Sequence, residues 1–175
     1  MIYFTADLHF YHDKIIKHNN RPFRNVDEMN RILIRNWNDK VNDDDEVYIL
    51  GDFTMKGPEL ASVILSSLKG RKHLIRGNHD NFAENPAFDI SLLDSIQDYA
   101  EITYANTVLV LCHYPFLEWH KSSKGSISLH GHQHNPPDYN YENLQKGIRR
   151  YDVGVDANYM APVSAEDIIT FFNLT

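Results

Sequence analysis

Five short apolar runs in this chain stop at side chains able to bind protons or metals. Ile2 to Thr5 is followed by Asp7-Leu8-His9, Glu46 to Leu50 by Gly51-Asp52, and Lys72 to Ile75 by Gly77-Asn78-His79-Asp80. Thr107 to Cys112 runs into His113, and Ser126 to Leu129 leads to Gly131-His132-Gln133-His134. Such runs, rich in β-branched and aromatic residues, read as strands. Between the first three lie two helical signals. Asn25 has the place of an N-cap, with Glu28 three residues on as in a capping box, and Met29, Ile32, Leu33 and Trp37 recur at helical spacing, which predicts a helix from Val26 to Asp39. Pro58 and Gly70 bracket a second helix, Glu59 to Lys69. Strand, helix, strand, helix, strand is the alternation of a parallel α/β sheet.

Past Asn81 the pattern changes. Asp89 to Gln97 reads as a short helix, and Ala100 to Tyr104 pairs with Thr107 to Cys112 as a hairpin turning at Ala105-Asn106. Arg150 to Val155 is a last strand, and Ser164 opens a C-terminal helix with Asp167 in its first turn. Asn135 to Gly147 is polar and proline-bearing and reads as a mobile loop. No repeat or interdomain linker interrupts the 175 residues, so residues 1–175 read as one domain.

In open α/β sheets ligands bind at the carboxyl ends of the strands. That rule brings Asp7, His9, Asp52, Asn78, His79, His113, His132 and His134 to one edge. Here composition matters: 10 histidines in a chain of net charge -7 supply imidazoles and carboxylates together. With one carboxamide, that ligand set suits Mn²⁺, Fe or Zn²⁺, whereas all-oxygen sets suit Mg²⁺ or Ca²⁺. Singly, each cluster has a plainer reading: a turn for Asp7 and Asp52, a packed core histidine for His113, a surface loop for His132 and His134. The order and placement of the whole set carry the argument.

In that order and spacing the motifs resemble those of the calcineurin-like metallophosphoesterase superfamily, in its small single-domain bacterial and phage-type members. The resemblance implies an α/β fold, a four-layer αββα sandwich of mixed sheets with two metals at the strand C-terminal ends. It implies that Asp7, His9, Asp52 and His134 hold the first metal and that Asp52, Asn78, His113 and His132 hold the second, with Asp52 bridging. It makes His79 the acid near the leaving group and Asp80 the residue that orients it. His12 and Arg21 are the expected contacts to a substrate phosphate. The expected cofactors are two divalent ions, Mn²⁺ first, with Fe, Zn²⁺, Ni²⁺ or Mg²⁺ as alternatives.

The chemistry is coherent on its own terms. Two ions about 3.5–4 Å apart need a shared ligand, and water between them loses a proton near neutral pH and becomes a nucleophile. The expected activity is hydrolysis of a phosphomonoester or phosphodiester, of a small molecule or nucleotide, by in-line attack of a metal-bridging hydroxide.

Other features exclude competing classes. With 17 basic against 24 acidic residues, stable binding to duplex nucleic acid or anionic membranes is not expected. No run reaches the roughly 20 apolar residues of a membrane span, and the first residues lack a signal peptide's basic region. The lone cysteine, Cys112, fits a reducing compartment, so the expected location is cytoplasmic. Gly51-Asp52 continues as Phe53-Thr54-Met55, without the arginine that Ser/Thr protein phosphatases carry there, which argues against protein dephosphorylation. The competing readings are a non-catalytic interaction module of the same fold, against which no ligand is missing, and a nuclease acting on short nucleic acid. The sequon Asn173-Leu174-Thr175 reads as chance.

Overall fold

Side chains along the first strands alternate between two cores. β1 spans Ile2–Thr5, β2 Glu46–Ile49 and β3 Arg71–Ile75 in the computed structural model, which describes residues 1–173. The last two positions of the Asn173 sequon lie outside the described residues. Tyr3, Val47, Ile49 and Leu74 enter one core with Met29, Leu33 and Trp37, whereas Phe4, Leu50 and Ile75 enter another with Leu109, Leu111, Ile127 and Leu129. Strands buried on both faces need cover on both sides. α2 (Val26–Lys40) and α3 (Pro58–Ser67) cover one side, and a second sheet covers the other.

The first sheet has the order β4-β3-β2-β1-β9, with β4 at Ser95–Gln97 and β9 at Val163–Ser164. β1 to β4 are parallel, with Ile2 opposite Glu46 and Val47 opposite Lys72, and β9 runs antiparallel to β1. The second sheet orders β5 (Ala100–Tyr104), β6 (Thr107–Leu111), β7 (Ile127–His130) and β8 (Arg150–Asp152). β5 and β6 form the expected hairpin, and β6, β7 and β8 are parallel. α1 (Asp13–His18) follows β1, α4 (Asp138–Gln145) packs on β8, and α5 (Ala165–Asn173) inserts Ile168 and Phe172 into the second core. This is the αββα arrangement, with two mixed sheets face to face. Among the described residues no helix is long and apolar enough to cross a membrane.

The helix ends follow the sequence with one change. The Glu28 N–H donates to Asn25 Oδ1 at 2.9 Å, the expected cap, a contribution of about 1 kcal/mol. The Glu28 carboxylate turns instead to Arg24, accepting its backbone N–H at 2.7 Å and its guanidinium at 2.8 Å. At α5 the box is reciprocal: the Asp167 N–H donates to Ser164 Oγ at 3.0 Å, and Ser164 Oγ–H donates back to the Asp167 carboxylate at 2.7 Å.

Three segments differ from the sequence reading. Asp89 to Gln97 is not one helix but a 3₁₀ turn, Ile90–Leu92, followed by β4. Pairing of Ser95, Ile96 and Gln97 with His73, Leu74 and Ile75 outweighs local propensity there. Asn135 to Gly147 is not an open loop, because α4 occupies most of it. Its buried Asn140 and Asn143 clamp β8: the Asp152 N–H donates to Asn140 Oδ1 at 2.8 Å, and Asn143 Nδ2 donates to the Arg150 carbonyl at 3.2 Å. α1 is the third, a six-residue helix without a strong periodic signal.

The parallel strands place their carboxyl ends along one edge. There the two sheets are stitched together, with Ala6 bridged to Gly154 and the Val155 N–H donating to the Ala6 carbonyl at 3.1 Å.

Candidate metal centre

The candidate ligands sit on a strained backbone. Asp7, His9, Asp52, His132 and His134 have φ of 56°, 51°, 54°, 71° and 50°, in the left-handed region that non-glycine residues avoid. Each such residue costs on the order of 1–3 kcal/mol and persists only where its surroundings over-determine it. Hydrogen bonds between strand ends do so: the Asp7 N–H donates to the Gly51 carbonyl and the His9 N–H to the Asp52 carbonyl, both at 3.0 Å. Glycine provides the close approach. A Cβ on Gly51, whose φ is 83°, would meet His113 Nδ1 at 2.4 Å, and one on Gly77 would meet Asp52 Oδ1 at 2.4 Å.

The strand ends deliver two clusters. Ligand atoms of Asp7, His9 and His134 lie within 4.8 Å of one another, and so do those of Asp52, His113 and His132. His9 Nε2 faces His134 Nε2 at 3.2 Å, and His132 Nδ1 faces His113 Nε2 at 3.2 Å. Asn78 joins the second cluster with Oδ1 at 3.1 Å from His113 Nε2. Asp52 lies between the two: Oδ2 is 3.5 Å from His9 Nε2 and Oδ1 is 3.6 Å from His113 Nε2. All seven residues expected to hold metal therefore converge as two adjoining groups.

The donor set fits cations. His113 Nδ1 donates to the Leu50 carbonyl at 2.8 Å, since a carbonyl only accepts, which leaves Nε2 with a bare lone pair. That lone pair points where Asn78 Oδ1 and Asp52 Oδ1 also point. His134 Nδ1 donates to Asp156 Oδ2 at 2.8 Å, so its Nε2 is likewise bare. A ring nitrogen exposed to a metal while the other donates to oxygen is the usual arrangement of ligating histidines. Burial lowers the His9 pKa to about 2 and also lowers that of His113, keeping both rings neutral. Burial, reinforced by Asp152, raises the Asp7 carboxyl well above its ordinary range. A buried carboxylate pressed by its neighbours in this way is what a cation relieves.

At the rim stand His79 and His12. The His79 side chain is 36% exposed, its ring centroid is 5.5 Å from that of His9, and its Nε2 lies 3.9 Å from Asp52 Oδ2. His12 Nδ1 is 3.4 Å from His9 Nδ1, and burial followed by the neighbouring His79 lowers its pKa. A cavity of about 400 Å³ opens beside His12, lined by Tyr11, Asp13, Lys14, Met55 and Lys56. Another of about 510 Å³ lies past the second cluster, walled by Arg76, Asp98, Tyr99, Tyr114 and Phe116. The Tyr114 ring stands edge-on to His113 and His132, with centroids 4.9 Å and 4.7 Å away.

Two expected roles are corrected. Arg21 is buried and does not reach a substrate: its guanidinium is held by the Asp156 carboxylate and by the carbonyls of Asp7 and Leu8. Asp80 does not orient the His79 ring, whose carboxylate neighbour is Asp52. Its oxygens accept the backbone N–H groups of Asp52, Phe53 and Gly77, each at 2.8 Å. Burial raises its carboxyl to about 6, against those amides, which lower it.

Asp156 was missed by the sequence reading, although it directly follows the predicted strand Arg150 to Val155. The strand-end rule that selected the others would have selected it. His130 is a packed histidine, with Nδ1 2.9 Å from the Gly131 carbonyl and Nε2 3.3 Å from the Tyr139 hydroxyl. Arg76 sits in surface pairs with Asp98 and Glu84, and Cys112 is buried.

Comparison with known proteins agrees with this geometry. The chain is 36% identical over 170 residues to an uncharacterized protein of Methanocaldococcus jannaschii, covering 96% of this chain and 89% of the relative. It is 29% identical over 200 residues to the gene 66 protein of Mycobacterium phage L5, covering 98% and 93%. A crystal structure of a protein of unknown function from Aquifex aeolicus superposes with a TM-score of 0.77 at 26% identity, covering 97% of this chain and 98% of that one. The calcineurin-like phosphoesterase family model matches residues 1–156, the stretch that carries all seven candidate ligands together with His79, Asp80 and Asp156, and the chain belongs to that family.

Proposed function

We propose that the protein is a hydrolase of phosphate esters that works with two divalent metal ions. The observation that carries this reading is the Asp52 carboxylate, which presents Oδ2 to His9 at 3.5 Å and Oδ1 to His113 at 3.6 Å and so serves both clusters. Asp7, His9, Asp52 and His134 would hold one ion, and Asp52, Asn78, His113 and His132 the other. Mn²⁺ is the first candidate for this mixed nitrogen and oxygen set. When bound, such ions supply charge for the phosphoryl oxygens and acidify a water for in-line attack.

The chain's own residues supply the rest. His79 stands at the rim with Nε2 toward the centre and gives a proton to the departing ester oxygen. Asp80 holds the Asp52 and Gly77 loops in place by accepting three backbone N–H hydrogen bonds. His12, beside Lys14 and Lys56, receives the anionic part of the substrate. The cavity walled by Tyr99, Tyr114 and Phe116 receives its organic part, which favours an aryl or nucleotide ester of modest size. The reducing environment that suits the buried Cys112 is consistent with work in the cytoplasm.

A panel of phosphomonoesters, cyclic nucleotides, dinucleotides and bis-p-nitrophenyl phosphate, assayed with Mn²⁺, tests the reading. Turnover of at least one class, abolished by a chelator, is expected. Absence of turnover across the panel in protein loaded with two ions contradicts it.

A further inference from the structure

We propose that Arg21 and Asp156 are positioning residues for the first ligand cluster alone, so that the two metal positions have separately set affinities. The inference rests on the two-ion reading above and adds an asymmetry to it.

One histidine in each cluster has its Nδ1 held by oxygen, and the two are held by different means. In the second, the partner of His113 Nδ1 is a backbone oxygen, the Leu50 carbonyl at the end of β2. In the first, the partner of His134 Nδ1 is a side-chain carboxylate, Asp156 Oδ2, at 2.8 Å. That carboxylate is itself clamped. Arg21 Nε donates to Asp156 Oδ1 at 2.9 Å and Arg21 Nη2 donates to Oδ2 at 2.8 Å, a two-point fork that fixes the carboxylate plane. The Arg21 side chain has no solvent exposure and that of Asp156 has 8%.

The same guanidinium also reaches the other side of the cluster. Arg21 Nη2 donates to the Asp7 carbonyl at 2.6 Å and Nη1 to the Leu8 carbonyl at 3.0 Å. One buried group thus ties the left-handed turn carrying Asp7 and His9 to the loop carrying Asp156, with His134 between them. Among the described residues, no hydrogen bond or ion pair of Arg21 or Asp156 reaches Asp52, Asn78, His113 or His132. A carboxylate held at two points by a guanidinium is a charged acceptor. A charged acceptor makes the His134 ring more basic at Nε2 than a carbonyl would, and removing such partners lowers metal affinity about 10–100-fold.

Calorimetric titration of the metal-stripped full chain with Mn²⁺ tests this. Wild-type protein is expected to take two ions. Asp156→Asn should weaken one of them about 10–100-fold and leave the other unchanged. Arg21→Lys, which keeps the charge and loses the fork, should weaken the same one by less. In a His134→Ala background, Asp156→Asn should add less than about a twofold change, because its effect runs through that ring. Equal weakening of both ions, no change in either, or a full loss in the His134→Ala background overturns the inference while leaving the two-ion reading intact. An Asp156→Asn chain that does not fold, judged by circular dichroism without metal, also overturns it, since the pair is then structural. Wild-type protein that takes fewer than two ions overturns the reading on which it rests.

Discussion

The Asp80 carboxylate accepts the Asp52 backbone N–H at 2.8 Å, and with the Gly77 N–H on the same oxygen it joins two of the strand ends that build the site. Asp80 is 2% exposed, so water cannot replace it. Asp80→Asn would turn an amide NH₂ toward backbone donors and leave one of them unpaired, at a cost of about 1–3 kcal/mol. Thermal melts should show a drop of about 2–4 °C for each kcal/mol lost, and metal retention at Asp52 should fall with it. Unchanged melting and metal content would refute the anchoring role.

His79→Gln separates chemistry from metal binding. The ring lies outside both ligand clusters, so metal content should hold at the wild-type value. Loss of a proton donor should lower kcat about 10²–10⁴-fold for an ester with a poorly stabilised leaving group. The loss should shrink with p-nitrophenolate, which departs without help. Full turnover of both esters in the variant would remove His79 from the mechanism.

Metal loading should release protons, and Asp7 is a source beside any water the ions acidify. Its carboxyl is raised by burial and by Asp152, so the metal-free fold retains a proton there over a wider pH range than a free aspartate does. A cation binds the ionised form, so affinity falls and proton release grows as pH drops from neutrality toward that raised pKa. His9, held to about 2 by burial, is already neutral and contributes none. The buffer dependence of the binding enthalpy counts these protons, and Asp7→Asn should lower the number released as pH drops. Equal release in wild type and variant would point to another group.

Tyr114→Ala tests the aromatic cavity. The ring is 45% exposed and stands against His113 and His132 without lying in either cluster. Loss of one aromatic contact, worth about 0.5–1.5 kcal/mol, should raise KM for an aryl ester about 2–12-fold and spare kcat. An alkyl ester should be little affected. Equal changes for both esters would deny the cavity a part in recognition.

The ligands were legible in the sequence because each lies in a short polar motif just past a strand, and strand ends are a local property. Asp7, Asp52, His113 and His132 announce themselves in that way. The roles of Arg21 and Asp80 were not legible, because both depend on which distant backbone groups lack a partner. Arg21 lies 135 positions from Asp156, and no local pattern links them. Asp156 carried the same strand-end signal as the ligands and was passed over for want of a motif. The α4 helix escaped for a related reason: Asn140 and Asn143 are weak helix formers locally, and their hydrogen bonds to β8 outweigh that preference.

The most direct test is the rate of bis-p-nitrophenyl phosphate hydrolysis as metal-stripped protein is titrated with Mn²⁺. The structure predicts a rate near zero without metal, which rises and levels off at two equivalents per chain, and the same titration of Asp52→Asn should stay near the baseline because both clusters share that carboxylate. Two tightly bound ions with no hydrolysis, or full activity in Asp52→Asn, would contradict the account.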